Sequence, residues 1–343
     1  MNTEYKILYE ACDQIKSLLA ETIYGTKGLR YRHIGVEQKV LDLHKPTFHT
    51  LWEGDLLLAV SAYCDRTISH RGEQYDACYI RYFSVSPKHQ GKGLGKLLTS
   101  KIEEHYRTNR PGPSVFYAYI EGENKKSMGV SKHFDPTITG KLKTTFISRF
   151  FPKTNSKVRK LKKEEMPQIK KQCDAFHQNF TTYFNHRINY KDNYFVWEEN
   201  GKIVAGIQAN PIQWKMENLP GFMGWLNLNI LPHIPILKRL ADGKVFNFIA
   251  LEGAFHEANR ENELMKLIEH TMAAHKVYKA FTYRDIQDPL HAHLQQRKDL
   301  GLLSKIQHSP GVNIICNFIG ENDQSIKQSF TDSPKYISGF DVT

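Results

Sequence analysis

The sequence predicts a mixed α/β (α+β) fold: a mostly antiparallel sheet flanked by helices, laid down twice along the chain. Three observations lead there. Strand-like runs joined by very short turns crowd residues 47–85. Amphipathic helical spacing alternates with such runs along the chain. The order of elements in the first half recurs in the second, in pattern and not in residue identity. At 343 residues the chain is long for a single core, and two domains are expected.

A short strand at Tyr5–Tyr9 opens the chain, followed by helical spacing that puts Ile15, Leu18, Leu19 and Ile23 on one face. Thr47–Glu53, Leu56–His70 and Gln74–Val85 read as three strands, joined through Glu53-Gly54-Asp55 and His70-Arg71-Gly72-Glu73. A polar glycine-rich loop leads into a helix with Leu94, Leu97, Leu98 and Ile102 inward, broken at Asn109–Pro113. A strand at Ser114–Ile120, a short helix within Asn124–Phe134 and a strand near Thr144–Phe151 complete the first half. Pro152-Lys153-Thr154-Asn155-Ser156 reads as a linker, which divides the chain into domains 1–152 and 157–320 and a polar tail 321–343. The second half reads as helix Glu164–Tyr183, strands Tyr194–Glu199, Lys202–Trp214 and Val245–Leu251, helix Glu261–His275, strand Val277–Tyr283, helix Asp288–Gly301 and strand Val312–Ile319.

Composition narrows the class. The net charge of +11 is spread evenly, +6 over residues 1–150 and +5 over the rest, with no basic tail. That argues against nucleic acid and suits an anionic cofactor or acidic partner. Five widely spaced cysteines without a CxxC pair fit reduced thiols better than disulfides or a zinc site. The start resembles no signal peptide and no long apolar run exists, so a cytoplasmic protein with no membrane partner is expected. No metal-ligand pattern is legible, His291 and His293 included.

The most informative stretch runs from Tyr79 through Val85 to Gln90-Gly91-Lys92-Gly93-Leu94-Gly95-Lys96. Glycines at alternate positions let a backbone turn sharply and bring its N–H groups against a ligand. The helix starting there adds unpaired amides and a positive dipole end, which favours a diphosphate. Lys88, Lys92 and Lys96 add charge at the same point. A P-loop is excluded because Leu97, not Ser or Thr, follows Lys96. A dinucleotide fingerprint fits poorly. Lys96 stands where a small residue must pack and five residues separate Val85 from Gly91, although Glu121 sits near the place of a ribose-binding acid. A glycine-rich turn without a ligand is the remaining structural alternative.

The same stretch resembles the Gcn5-related N-acetyltransferase (GNAT) superfamily, whose central motif Q/R-x-x-G-x-G/A follows a strand. Gln90, Gly93 and Gly95 match it after Val85-Ser86-Pro87, and the resemblance covers roughly residues 1–150. It implies an acetyltransferase-like domain that uses acetyl-CoA as co-substrate, with the diphosphate on the amides of Gln90–Lys96. It also implies pantetheine pairing along Phe83, Ser84 and Val85, a following strand that splays away, and Asn124 at the start of the next helix. The tyrosine that many members use to protonate the departing thiolate is replaced here by Ser131, and no carboxylate lies between Asp76 and Val85. Glu121 and Tyr119 are the nearest candidates for proton transfer, with Glu123, Tyr117 and Tyr79 close by. The function expected is acetyl transfer to an amine by direct attack in a ternary complex; the alternative is a non-catalytic acyl-CoA-binding or regulatory protein.

In the second half, gapless matching of the strand ends sets Glu257, Asn259 and Glu261 opposite Gly91, Gly93 and Gly95, with Glu252–Arg260 as the corresponding loop. Carboxylates there repel a diphosphate, so this half is expected to have lost the cofactor. An unrelated α/β domain is the alternative. The insertion 213–240 is strongly apolar and interrupted by Pro220, Pro232 and Pro235, which excludes one long helix. It reads as a flap, as a contact surface that could make a homo-oligomer, or as an acceptor pocket.

Overall fold

The computed structural model describes residues 3–109, 114–307, 311–319 and 324–343. The expected break after Asn109 falls at 110–113, outside the described residues. In chain order the elements begin with β1 (Glu4–Leu8), α1 (Asp13–Glu21), β2 (Arg30–His33), α2 (Val36–Leu41), β3 (Pro46–Glu53), β4 (Leu56–His70) and β5 (Glu73–Val85). They continue with α3 (Leu94–Asn109), β6 (Ser114–Glu121), α4 (Lys125–Ser131), β7 (Thr137–Ser148), β8 (Val158–Lys160), α5 (Met166–Phe176), β9 (Tyr194–Glu199) and β10 (Lys202–Asn218). The last are α6 (Gly221–Asn229), β11 (Val245–His256), α7 (Glu261–Ala274), β12 (Lys279–Asp285), α8 (Pro289–Gln296), α9 (Leu303–Ile306), β13 (Val312–Ile319), α10 (Gln324–Asp332) and α11 (Gly339–Val342).

The chain forms two compact units. Unit 1 is Met1–Ile68, Glu73–Lys141 and Gly311–Asp332. Its strand order is β1-β3-β4-β5-β6-β13. β1–β3, β3–β4 and β6–β13 are antiparallel, whereas β5–β6 is parallel. The β3–β4 turn is as tight as the sequence predicts, with Glu53 opposite Leu56 and Gly54 at φ +58°. α3 buries Leu94, Leu98, Ile102 and Tyr106, one residue per turn, against Leu51, Leu58, Tyr63, Cys78 and Phe116 of the sheet. Leu97, assigned to that face from spacing, is exposed, and Ile23 lies beyond the end of α1 and is exposed too.

Unit 2 is Ser69–Gly72, Leu142–Pro310 and Ser333–Thr343. The second part of β7 begins the order β7-β12-β11-β10-β9-β8, with β11–β12 the parallel pair and β7–β12, β10–β11, β9–β10 and β8–β9 antiparallel. α7 buries Leu264, Met265, Leu267, Ile268 and Met272 against this sheet. Each unit therefore carries a strand that runs through a helix into a parallel neighbour: β5–α3–β6 in one, β11–α7–β12 in the other.

The units do not follow the chain division at 152. β13 comes from the second half but pairs with β6 over eight positions, from Val312–Glu121 to Ile319–Ser114, and so belongs to unit 1. From Leu142 onward β7 belongs to unit 2, where it pairs with β12. The segment expected as a polar tail holds α10 in unit 1 and a buried segment, Ser333–Thr343, in unit 2; residues 321–323 lie outside the description. Some boundaries also moved. β11 continues to His256 because Phe255 and His256 pair with Gly206 and Ala205 of β10, so Glu252–His256 is strand and the loop before α7 is only 257–260. α5 ends at Phe176, and the expected helix at 288–301 stops at Gln296, after which Arg297 is extended.

Candidate functional site

The site is built where β5 gives way to α3. β5 and β6 pair in parallel only at Ala77–Val115, Cys78–Phe116 and Tyr79–Tyr117. Beyond that point they diverge. Tyr82 sits at φ +54°, a left-handed conformation in mid-strand that bends β5 away from its neighbour. After Val85 the chain makes one short 3-10 turn at Pro87–His89, anchored by the Ser86 amide on the Leu58 carbonyl at 2.8 Å. Gln90 turns back and donates to the Val85 carbonyl at 3.3 Å. Gly91 and Gly93 stand at φ +81° and +78°, which only glycine adopts at little cost. A Cβ at either would meet nothing within 4 Å, so backbone conformation, not crowding, requires glycine there. A Cβ at Gly95 would touch Phe83 and Val130 at 3.5 Å, an ordinary contact.

The loop is exposed from Gln90 to Gly93, and the charges nearest to it in sequence are all positive. The first-turn amides of α3 have no acceptor within the helix, and the dipole adds a partial positive charge. Lys88, Lys92 and Lys96 are all exposed, and the sequence holds no Asp or Glu from Ala77 to Ile102. Leu94 is buried, so its side chain belongs to the core while its backbone starts the helix.

The wedge opens into a cavity of about 560 Å3. Phe83 of β5, Tyr119 of β6 and Asn124, which caps α4 by accepting from the Ser127 amide at 3.1 Å, all line it. Its walls are mainly apolar and aromatic: Tyr63, Tyr106, Phe116, Phe134, and Ile315 and Phe318 from β13. Ser84, Val85 and the loop residues Gln90–Lys96 stand outside this lining, at the end of β5.

Residues 26–134 match the model of the acetyltransferase (GNAT) family. Over that stretch the chain is similar to the GNAT family. Two solved structures of Saccharomyces cerevisiae N-myristoyltransferase resemble the chain in fold. One, with bound myristoyl-CoA, has 13% identity and a TM-score of 0.60, over 92% of this chain and 80% of that one. The other, with myristoyl-CoA and inhibitors, has 14% identity and a TM-score of 0.59, over 92% and 81%. A search of curated proteins finds no match to this sequence.

Within the wedge the candidate proton-transfer groups are placed differently. Tyr119 lines the cavity, with its ring 5.3 Å from that of Tyr79. Glu121 is not among the lining residues, and its carboxylate accepts from the Thr26 hydroxyl at 2.6 Å. The Ser131 hydroxyl, where family members often have tyrosine, donates to the Met128 carbonyl at 3.0 Å. Three lining residues escape a reading of the motif. Arg81 donates to the Tyr82 hydroxyl at 2.8 Å and stacks over that ring at 4.0 Å. Tyr24, from the segment after α1, brings a buried hydroxyl to the cavity. Burial, then Tyr82, pushes the Tyr24 phenol above the usual tyrosine value. Arg81 and Tyr82 lie on the motif strand β5 and could have been suspected; nothing local marks Tyr24.

Unit 2 has the same parallel pairing, Ile249–Leu251 with Ala280–Thr282, followed by a left-handed residue, Gly253 at φ +56°. Here the chain itself fills the opening. The Asn210 amide donates to Glu252 at 2.6 Å, the Ser338 hydroxyl donates to the same carboxylate, and the Phe340 amide reaches it at 3.3 Å. The Gly253 amide donates to the Tyr336 hydroxyl at 3.2 Å, and the Lys335 amide to Asp285 at 3.0 Å. A Cβ at Gly339 would stand 3.0 Å from the Leu251 carbonyl oxygen, so this segment lies directly on β11. Beyond β11 only four residues precede α7. Glu257 pairs with Lys202 at 2.7 Å, and Glu261 and Glu263 occupy the first helical turn, where a diphosphate would have to bind.

Proposed function

We propose that unit 1 transfers the acyl group of an acyl-CoA to an amine by direct attack in a ternary complex, and that this group is an aliphatic chain longer than acetyl. The observation that carries the reading is the 560 Å3 cavity, whose lining takes in Phe116, Tyr63 and Tyr106 as well as Phe83 and Tyr119 of the wedge. That size is typical of sites that bury a whole ligand, roughly 300–1,000 Å3. An acetyl group would fill only a small part of it. The likeness in fold to an enzyme solved with myristoyl-CoA agrees with this choice.

The diphosphate would rest on the amides of Gln90–Lys96 and on Lys88, Lys92 and Lys96, with the pantetheine arm along Phe83–Val85. The thioester would then lie where β5 and β6 part. A neutral amine attacks the carbonyl, the C–N bond forms, the C–S bond breaks, and the amine proton leaves to solvent or a nearby base. Arg81, almost wholly buried, disfavours the ammonium form of an amine beside it. Tyr24 keeps its proton and, with Tyr119, could supply one to the departing thiolate. Glu121 would act only through Thr26 or water. Holding both substrates together supplies much of the acceleration.

A second reading, acetyl-CoA as donor, is favoured by the description of the family that matches residues 26–134. The deciding experiment measures CoA release from acetyl-, octanoyl- and myristoyl-CoA with a panel of amines. Preference for the longer donors supports the first reading, and preference for acetyl-CoA the second. Tight binding without release across the panel would assign the chain to non-catalytic acyl-CoA binding.

A further inference from the structure

Residues 219–237 contain no Asp, Glu, Lys or Arg. A stretch so apolar is ordinarily core, yet α6, which begins it, buries none of its residues. Phe222, Met223 and Trp225 are 71%, 67% and 52% exposed, with the rings of Phe222 and Trp225 stacked at 6.1 Å. Ile230, Ile234 and Ile236 on the following turns are exposed as well. Folding leaves this much aliphatic and aromatic surface in water only where something else covers it.

The rim says what. Arg239 donates to the Phe150 carbonyl and lies 4.3 Å from the ring of Phe151, itself 64% exposed. Lys238 and Lys244 are exposed at the end of the stretch. The acids closest in sequence are both engaged: exposed Glu217 pairs with Lys215 at 3.7 Å, and Asp242 is held by the buried Lys279 at 2.6 Å and by Asn247. The rim therefore offers cations, and the apolar face offers almost no polar groups: Asn227, Asn229 and His233, with Asn229 donating to the Trp225 carbonyl. A protein partner is normally oriented by about one hydrogen bond per 100–200 Å2 of interface, and this face cannot provide them. Exposed aromatics edged by Lys and Arg match the requirements of an anionic lipid surface, where rings enter the headgroup boundary and cations meet phosphates.

We propose that α6 and the turns after it, with Phe222, Met223 and Trp225 as the inserting side chains, dock this protein onto anionic membrane surfaces. No helix among the described residues is long and apolar enough to cross a membrane, and docking of this kind requires none. The proposal is independent of the acyl chain carried by the donor.

The test uses the full chain and sedimentation with phosphatidylcholine vesicles, with and without phosphatidylglycerol. The wild type should partition onto the phosphatidylglycerol vesicles, less so at high salt. Its tryptophan emission should shift to the blue, since Trp52 and Trp197 are already buried and Trp225 is not. F222S/W225S should lower partitioning about tenfold or more while leaving CoA affinity and thermal midpoint unchanged, and K238E/K244E should weaken binding only where phosphatidylglycerol is present. The proposal falls if the wild type ignores both vesicle types or if F222S/W225S sediments as the wild type does. It also falls if light scattering shows a dimer that F222S/W225S dissociates while no vesicle binds, which would give the patch to a second copy of the chain.

Discussion

Replacing Gly93 separates the backbone from the charge at the proposed diphosphate site. The residue stands at φ +78°, and a Cβ there meets nothing within 4 Å. Gly93→Ala therefore clashes with nothing, and its cost is that of a left-handed L-residue, about 1–2 kcal/mol. Part of that is paid in stability and part in a loop that relaxes away from its binding shape, so CoA affinity should fall less than about tenfold. Gly93→Glu has the same backbone cost and adds a carboxylate beside a diphosphate. Each charge pair at ~6 Å repels by about 0.7–2.8 kcal/mol for a dielectric of ~80 to ~20. Two such pairs near the middle of that range give about 3 kcal/mol, or roughly 100-fold in affinity. Titration calorimetry with CoA on both variants, with circular dichroism to confirm folding, measures the difference. A folded Gly93→Glu protein that binds CoA within about threefold of the wild type would refute the assignment of the loop.

Three further outcomes are expected. His49 is buried between Tyr5 and Tyr106, and burial followed by His105 lowers its pKa to about 3, so it stays neutral in the fold while the unfolded chain protonates near 6.5. Its contribution is therefore complete above pH 6.5 and is lost as the pH falls toward 3, at about 1.4 kcal/mol per unit; thermal melts from pH 7 to 4 should show a shallower slope for His49→Asn. Lys335 and Asp285 form an ion pair at 3.6 Å with neither side chain exposed. Lys335→Met should cost about 3–5 kcal/mol by removing the countercharge of a buried carboxylate that keeps its backbone amide donors, and adding Asp285→Asn should recover part of the thermal midpoint; no recovery would remove charge as the cause. Ala118 lines the cavity on β6, so Ala118→Trp should reduce turnover of the longest accepted acyl-CoA several-fold more than that of acetyl-CoA; equal losses would argue that no chain lies there.

Much of unit 1 was legible because its signals are local. The β3–β4 turn, the buried stripe Leu94–Leu98–Ile102 of α3, and Gly91 and Gly93 at left-handed angles all follow from neighbours in sequence. Long-range pairing was not legible. Nothing near Val312–Ile319 says that it will lie beside β6 and wall a cavity 200 residues upstream, nor does the polar segment after Gly320 announce that Lys335–Phe340 will fill the opening in unit 2. The loop expected at Glu252–Arg260 failed for a related reason: Phe255 and His256 satisfy their backbone groups against β10, which extends the strand through residues that the matching of strand ends had set opposite the loop. Of the candidate site, the motif marked the glycine loop and its strand, whereas Tyr24 is visible only once β5 and β6 diverge.

The central claim is that one chain holds one acyl-CoA, in the wedge of unit 1, while the corresponding opening of unit 2 is occupied by Ser333–Val342. The direct measurement is the stoichiometry of CoA binding to the full chain by titration calorimetry, repeated on Gly93→Glu and on Glu257→Gly/Glu261→Gly. The account predicts a single equivalent for the wild type, its loss or strong weakening in Gly93→Glu, and no change in Glu257→Gly/Glu261→Gly. Two equivalents for the wild type, or a full equivalent at wild-type affinity in Gly93→Glu, would contradict it.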